Sequence, residues 1–234
     1  MRLPDLHRRL LRDALDSGHA YGLVLAGGYA IQAHELVCRT SQGVDLATDA
    51  PADMNEITGA VAAGLADRGW TMRIIEVAPR MSRLIATDAA SGASCEMDIL
   101  KEIFHRPPAH TEAGPTLSRD DAVGLKVRAL HNRGFPRDVI DVFSARELYT
   151  IQELERLGAQ HDEEFDLEEL HGRLEAVDFT SDREYAAYDM TPADIAELRA
   201  WVQDWLDDLG LRSCRAVHQG RGGRLKRPRN GIYG

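Results

Sequence analysis

The stretch Gly22-Leu23-Val24-Leu25-Ala26-Gly27-Gly28 constrains this chain more than any other. A short, uncharged apolar run bounded by glycines suits a buried strand. The glycine pair at its end permits a sharp turn that residues with a Cβ adopt only under strain. Tyr29 to Val37 then has helical composition. A strand, Gly-Gly turn and helix in succession expose backbone N–H groups where a phosphate can be met. Taken alone, such a pair is more often only a turn. The residues downstream decide between these readings.

Helical spacing of Leu3, Leu6, Leu10, Leu11 and Leu15 predicts an amphipathic helix over residues 3–17. A second strand is expected at Val44–Ala47 and a helix over 52–67, followed by strands at Thr71–Val77, Met81–Thr87 and Ser94–Leu100. Asp88 to Gly92 supplies turn chemistry between the last two. Beyond Pro107-Pro108 and Gly114-Pro115 the pattern turns helical. Ser118 to Asp121 resembles a capping box for a helix over 119–133, Gly134 closes it, and Pro136 begins another through about Tyr149. Short acidic helices follow, and a longer one runs from Thr191 to Leu209. The fold class expected is α+β: a mixed α/β core over 1–105, a helical region over 106–210 and a basic tail over 211–234.

Composition excludes several classes. With 44% hydrophobic and 28% charged residues the chain can bury a core, and no run approaches the roughly eighteen apolar residues of a membrane span. The N-terminus carries charges throughout, unlike a secretory signal, and three cysteines (Cys38, Cys95, Cys214) form neither a metal pattern nor a disulfide framework. A cytoplasmic protein with no membrane partner is expected. The net charge of −10 hides an asymmetry: from Leu211 onward there are seven basic residues and no acidic one. That segment is either an arm for a phosphate-rich partner or a solvated tail that folds back on its acidic body. No His-x-x-x-His pair, Gly-x-Ser-x-Gly or Walker loop is present.

Asp45 lies between Val44 and Leu46, and Asp98 between Met97 and Ile99, with Glu96 two residues earlier on the same side of its strand. Such carboxylates can simply face solvent from a half-exposed sheet. Two of them meeting beside a Gly-Gly turn would instead offer hard oxygen ligands next to a phosphate cradle, as a Mg²⁺–nucleotide site requires.

These features resemble the AbiEii-type nucleotidyltransferases, the toxins of type IV toxin–antitoxin and abortive-infection systems, MenT-like proteins included, within the DNA polymerase β-like superfamily. That pattern has an apolar strand, Gly-Gly, a helix, then Arg-x-Thr/Ser-x-Asp-hydrophobic-Asp. It is matched by Leu25 to Gly28 and by Arg39-Thr40-Ser41-Gln42-Gly43-Val44-Asp45. Asp98 corresponds to the third carboxylate on a later strand. A helix bearing Lys126, then Arg133, then Arg137-Asp138-Val139-Ile140-Asp141 matches the second half, with Lys126 and Arg133 on one helix face and Asp138 and Asp141 on another. The resemblance covers roughly residues 20–145 and implies a polymerase β-like core.

It further implies transfer of a nucleoside monophosphate with release of pyrophosphate. Asp45, Asp98 and Glu96 would hold Mg²⁺ (or Mn²⁺), and Gly27, Gly28, Arg39, Ser41, Lys126, Arg133 and Arg137 would bind the nucleoside triphosphate. Catalytic roles fall to Asp45, Asp98, Lys126, Asp138 and Asp141, with Asp138 or Asp141 orienting the lysine or meeting the nucleotide. The implied partners are an RNA acceptor such as tRNA and an antitoxin encoded nearby. Gly43 stands where the pattern has an aspartate. With that ligand gone the site holds two ions on fewer carboxylates, or one. A weakened enzyme, a non-catalytic nucleotide- or RNA-binding relative and an inactivating substitution remain open.

Overall fold

The structure, a computed structural model, describes residues 3–37, 39 and 41–222, with the backbone alone over 215–222. Cys38, Thr40 and the tail residues Arg224, Lys226, Arg227 and Arg229, singled out in the sequence, lie outside the described residues.

The chain forms a mixed sheet flanked by helices and followed by helices, as the sequence led us to expect. Helix α1 (Asp5–Ser17) precedes β1 (Val24–Leu25), which runs through the Gly-Gly turn into α2 (Gly27–Ala33). Strand β2 (Gly43–Thr48) and helix α3 (Met54–Ala66) follow, then β3 (Trp70–Ala78), β4 (Met81–Asp88) and β5 (Ser94–Lys101). A hairpin of β6 (Ala109–Thr111) and β7 (Gly114–Thr116) completes a seven-stranded sheet in the order β3-β4-β5-β2-β1-β7-β6. β2 and β5 pair in parallel, as do β1 and β7; the other neighbours are antiparallel.

Alternation along the strands separates two faces. Val44 and Leu46 of β2, Leu84 and Ala86 of β4, and Met97 and Ile99 of β5 are fully buried. Helices α1 and α3 pack against each other and against strands of this part of the sheet. The alternate residues, Gly43, Asp45, Arg83, Glu96 and Asp98, line a cleft over the other face.

Above that cleft stands α4 (Arg119–Asn132), whose first turn is closed by the Ser118 hydroxyl accepting from the Asp121 N–H at 3.0 Å. Next come α5 (Pro136–Phe143), α6 (Ile151–Gln160), α7 (Leu167–Glu175), α8 (Asp182–Ala186) and α9 (Pro192–Gly222). Helix α4 packs against α2, α5, α6 and α7, and so connects the sheet to the helices. The α4–α6 contact is made where side chains are absent. A Cβ on Gly158 would stand 2.5 Å from Val127 Cγ1, and one on Gly124 would stand 2.7 Å from the Leu157 carbonyl oxygen.

Several boundaries differ from the sequence reading. Helix α2 stops at Ala33 rather than Val37, because Glu35 takes a left-handed φ of 62°. Helix α5 ends at Phe143, short of Tyr149. The Gly114-Pro115 segment, read as a turn, forms a strand paired to β1. Helix α9 runs past Leu209 to Gly222, and Arg212 there folds back on Glu155 and Asp208 at 2.5 and 2.8 Å. The first of the tail's basic residues thus meets the acidic body.

The glycine contacts predict that Gly158→Ala, which wedges α4 from α6, destabilises the protein by about 1–3 kcal/mol. A fall in melting temperature of several degrees would show it, and an unchanged melt would mean that the helices tolerate a wider spacing.

Candidate active site

Gly27 holds the positive φ, +59°, that the turn after β1 requires. A Cβ there would lie 1.8 Å from Asp45 Oδ2, so the turn rests directly on that carboxylate. The Ala26 N–H donates to the Asp45 carbonyl at 2.8 Å, tying the end of β1 to β2. Gly28 faces Arg39 and Ser41: a Cβ on it would stand 3.3 Å from Arg39 Nη2 and from Ser41 Oγ. The segment carrying those two residues is held from α2. The buried Tyr29 hydroxyl donates to the Ser41 carbonyl at 3.1 Å and also meets His7 Nδ1, and the Gln32 amide donates to the Arg39 carbonyl. Burial pushes the Tyr29 hydroxyl pKa up to about 12, so it stays a protonated donor.

Across the sheet, strand register brings three charged side chains into one row. Asp45 and Asp98 are Cα partners on parallel β2 and β5, and Asp98 and Arg83 are Cα partners on antiparallel β5 and β4. Arg83 donates to both Asp98 oxygens, Nε to Oδ1 at 2.9 Å and Nη2 to Oδ2 at 2.8 Å. The neighbouring row holds Gly43 opposite Glu96. Glu96 is exposed, and a Cβ at position 43 would meet the Glu96 carbonyl oxygen at 2.8 Å.

Helices α4 and α5 close the cleft with ion pairs. Asp141 is fully buried and accepts from Arg39 Nε at 2.8 Å and Nη2 at 2.6 Å, while Lys126 Nζ lies 2.8 Å from its Oδ2. Asp138, equally buried, holds Arg133 through two hydrogen bonds of 2.8 and 3.0 Å. Among the described residues Arg137 forms no salt bridge with a carboxylate, and it lies against the Phe135 ring. Four cations facing two buried carboxylates leave this wall positive.

Asp45 sits half-buried below that wall. Burial raises its pKa above the ordinary carboxylate value; Lys126, Arg137 and Arg133 oppose the rise and Asp98 adds to it. Among the described residues no donor hydrogen-bonds its carboxylate, which leaves it an open acceptor in the site. The cleft encloses about 410 Å³, within the range of small-molecule sites.

Every residue expected at the site lines this cleft except Asp138 and Asp141, which stand behind it and hold the cations that do. Among the described residues no three His, Cys, Asp or Glu side chains form a metal cage. Mg²⁺ does not need one: it is commonly held by one or two carboxylates together with the substrate's phosphates. Asp45 fits that role for one ion. Asp98 fits a second poorly, because Arg83 occupies both of its oxygens.

Sequence reading missed Arg83, the Arg128–Glu102 pair at 2.6 Å, Asn132, and Tyr188, whose ring lies 5.7 Å from the Arg39 guanidinium. For Arg83 a signal existed. A hairpin turning about Asp88–Gly92 places residue 83 opposite residue 98, as the β4–β5 register has it. Tyr188 follows α8, far along the chain, with no motif to mark it.

The raised pKa of Asp45 has a consequence for stability. A carboxyl held above its unfolded value costs stability once ionised, and the cost vanishes below the unfolded pKa. Asp45→Asn is therefore expected to raise the melting temperature of the ligand-free protein at pH 7 by a few degrees, with the gain shrinking toward pH 4. Equal melts at pH 7 would mean that the cations above already compensate the charge.

A family profile described as "Nucleotidyl transferase AbiEii toxin, Type IV TA system" matches residues 9–206. No curated protein is significantly similar to the sequence. Among solved structures, JHP933 from Helicobacter pylori superposes with a TM-score of 0.53 at 16% identity, covering 94% of this chain and all of the other. MenT4, a nucleotidyltransferase toxin from Mycobacterium tuberculosis, superposes with a TM-score of 0.56 at 15% identity, covering 87% of this chain and 84% of the other. At such identities these likenesses speak for the fold alone, whereas the profile spans most of the chain. The chain belongs to the AbiEii nucleotidyltransferase toxin family of type IV toxin–antitoxin systems.

Proposed function

We propose that this nucleotidyltransferase transfers a nucleoside monophosphate from a triphosphate to an RNA acceptor, tRNA being the leading candidate, in a Mg²⁺- or Mn²⁺-dependent reaction in the cytoplasm. A protein antitoxin would restrain it. The observation that carries this reading is the open Asp45 carboxylate, pressed against the Gly27 turn and faced by a wall of net positive charge.

The chain's own residues divide the work. The Gly27-Gly28 turn carries no side chains of its own and is flanked by Asp45, Arg39 and the Ser41 hydroxyl, so triphosphate oxygens would meet its backbone between those groups. Arg137, which has no salt bridge among the described residues, and Lys126, which Asp141 holds at the wall, would offer cations to those oxygens. Asp141 fixes Lys126 and Arg39 together, and Asp138 fixes Arg133, so these act as positioning residues behind the cations. A divalent ion held at Asp45 would supply charge neutralisation on the transferred phosphate and polarise it for attack by an acceptor hydroxyl. Pyrophosphate leaves toward the cationic wall.

Gly43 and the occupied Asp98 favour one other reading, nucleotide or RNA binding without turnover. That reading expects nucleotide to raise the melting temperature while no product forms. Restoring Asp at position 43 is not a clean test, because its Cβ would press on the Glu96 carbonyl and shift β2 against β5.

The deciding experiment incubates the protein with each labelled nucleoside triphosphate and an RNA pool, with Mg²⁺ or Mn²⁺, and follows label into RNA. Lys126→Ala is expected to cut transfer by about 10²-fold or more with little loss of stability, since Arg39 still neutralises Asp141. Asp141→Ala strands two buried cations and is expected to cost about 3–5 kcal/mol in the unfolding free energy. Absence of label in RNA with all four nucleotides and both ions would overturn the enzymatic reading.

A further inference from the structure

We propose that Arg83 serves as a built-in cation in place of a second metal ion, so that the cleft takes a single divalent ion, at Asp45. This inference rests on the nucleotidyltransferase reading of the cleft and adds a residue to it. Arg83, Asp98 and Asp45 stand side by side on three adjacent strands, all on the cleft face. The guanidinium spans both Asp98 oxygens, a bidentate geometry that a metal ion would otherwise take from the same carboxylate. In the adjoining row, where another carboxylate would be needed, Gly43 has no side chain.

Charge decides how many ions fit. Two divalent ions about 3.5–4 Å apart repel strongly and persist only where several carboxylates surround them. Here Asp98 is already neutralised, and of the two cleft-face carboxylates without a hydrogen-bonded partner among the described residues, Asp45 is half-buried beside the Gly27 turn while Glu96 is exposed to solvent. The Arg83–Asp98 pair lifts the arginine's pKa further above its ordinary value, so its charge is permanent. With the Arg83 side chain 45% exposed, the pair contributes little to the fold. Its effect is therefore on what the cleft can bind, and removing it leaves the protein folded.

The test counts metal without relying on turnover. Mn²⁺ is titrated into nucleotide-free protein and the free ion is read by electron paramagnetic resonance, for the wild-type chain, Arg83→Gln and Arg83→Lys. In parallel, the melting-temperature shift given by a non-hydrolysable triphosphate analogue with Mn²⁺ is recorded. Wild type is expected to bind one ion; Arg83→Gln gains a second, or binds Mn²⁺ about tenfold or more tightly. Arg83→Lys, which keeps the charge, stays at the wild-type count. Two ions in wild type, or no gain in Arg83→Gln, overturns the proposal. If the analogue stabilises wild type and Arg83→Gln alike while Mn²⁺ binding is unchanged, Arg83 is not the substitute cation and the nucleotide site stands. If the analogue stabilises neither while Arg83→Gln gains metal, Arg83 does act on metal binding, and the nucleotidyltransferase reading of the cleft fails instead.

Discussion

The cleft depends on one buried carboxylate. Asp141 lies entirely out of solvent and accepts from Arg39, which precedes β2, and from Lys126 on α4. Three separate segments thus converge on two oxygens. Isolated charges in such a position are costly, and here each is compensated by another. The triad therefore depends on an arrangement: if the helices separate from the sheet, Arg39 and Asp141 lose each other, and only the Lys126–Asp141 pair between the helices is left. Asp138, one turn before Asp141 on α5, repeats the device for Arg133 at the end of α4. The wall that faces Asp45 is thereby rigid as well as positive.

Rigidity there matters because the opposite side is built with little latitude. Gly27 leaves no room for a side chain over Asp45, and Gly28 leaves only van der Waals space beside Arg39 and Ser41. Tyr29 and Gln32 on α2 hold the carbonyls of Ser41 and Arg39, so one short helix sets both the turn and the segment that carries two of its neighbours. Through Arg39 the same helix is tied to Asp141. The Gly-Gly turn, the carboxylate row and the cationic wall are mechanically one unit, although they come from residues more than a hundred positions apart.

Legibility in the sequence followed the range of the interactions. Strands β2 to β5 and helices α1, α3 and α4 are written in local periodicity and caps, and they lie close to where the pattern puts them. The hairpin β6–β7 is not, because Ala109–Thr111 and Gly114–Thr116 are too short and too rich in turn residues to declare themselves; β7 becomes a strand only by pairing with β1. At the site, Lys126, Asp138 and Asp141 stood out through their resemblance to the family pattern, yet that pattern does not say that Asp141 would hold Arg39 as well. That pairing exists only after the sheet and helices have docked. Arg83 was legible in principle, since one hairpin turn determines its partner, but an arginine on an exposed strand face looks like any solvated charge until its opposite number is known.

Gly43 gains its meaning from that neighbour. Taken alone, a glycine in place of a carboxylate reads as damage: one ligand and one negative charge fewer. Beside it, however, Asp98 is neutralised by a guanidinium on the adjoining strand, so among the described residues of the sheet face Asp45 and the solvent-exposed Glu96 are the carboxylates left without a hydrogen-bonded partner. A missing negative charge and an added positive one act in the same direction, and under the proposal made above both would lower the number of divalent ions the cleft holds. At Gly43 the paired strands also leave no room for a side chain, since a Cβ would press on the Glu96 backbone. On that proposal a glycine at position 43 and a fixed guanidinium at position 83 belong to one altered charge balance, in which arginine and phosphate-facing cations would carry more of the electrostatic work that metal ions otherwise do.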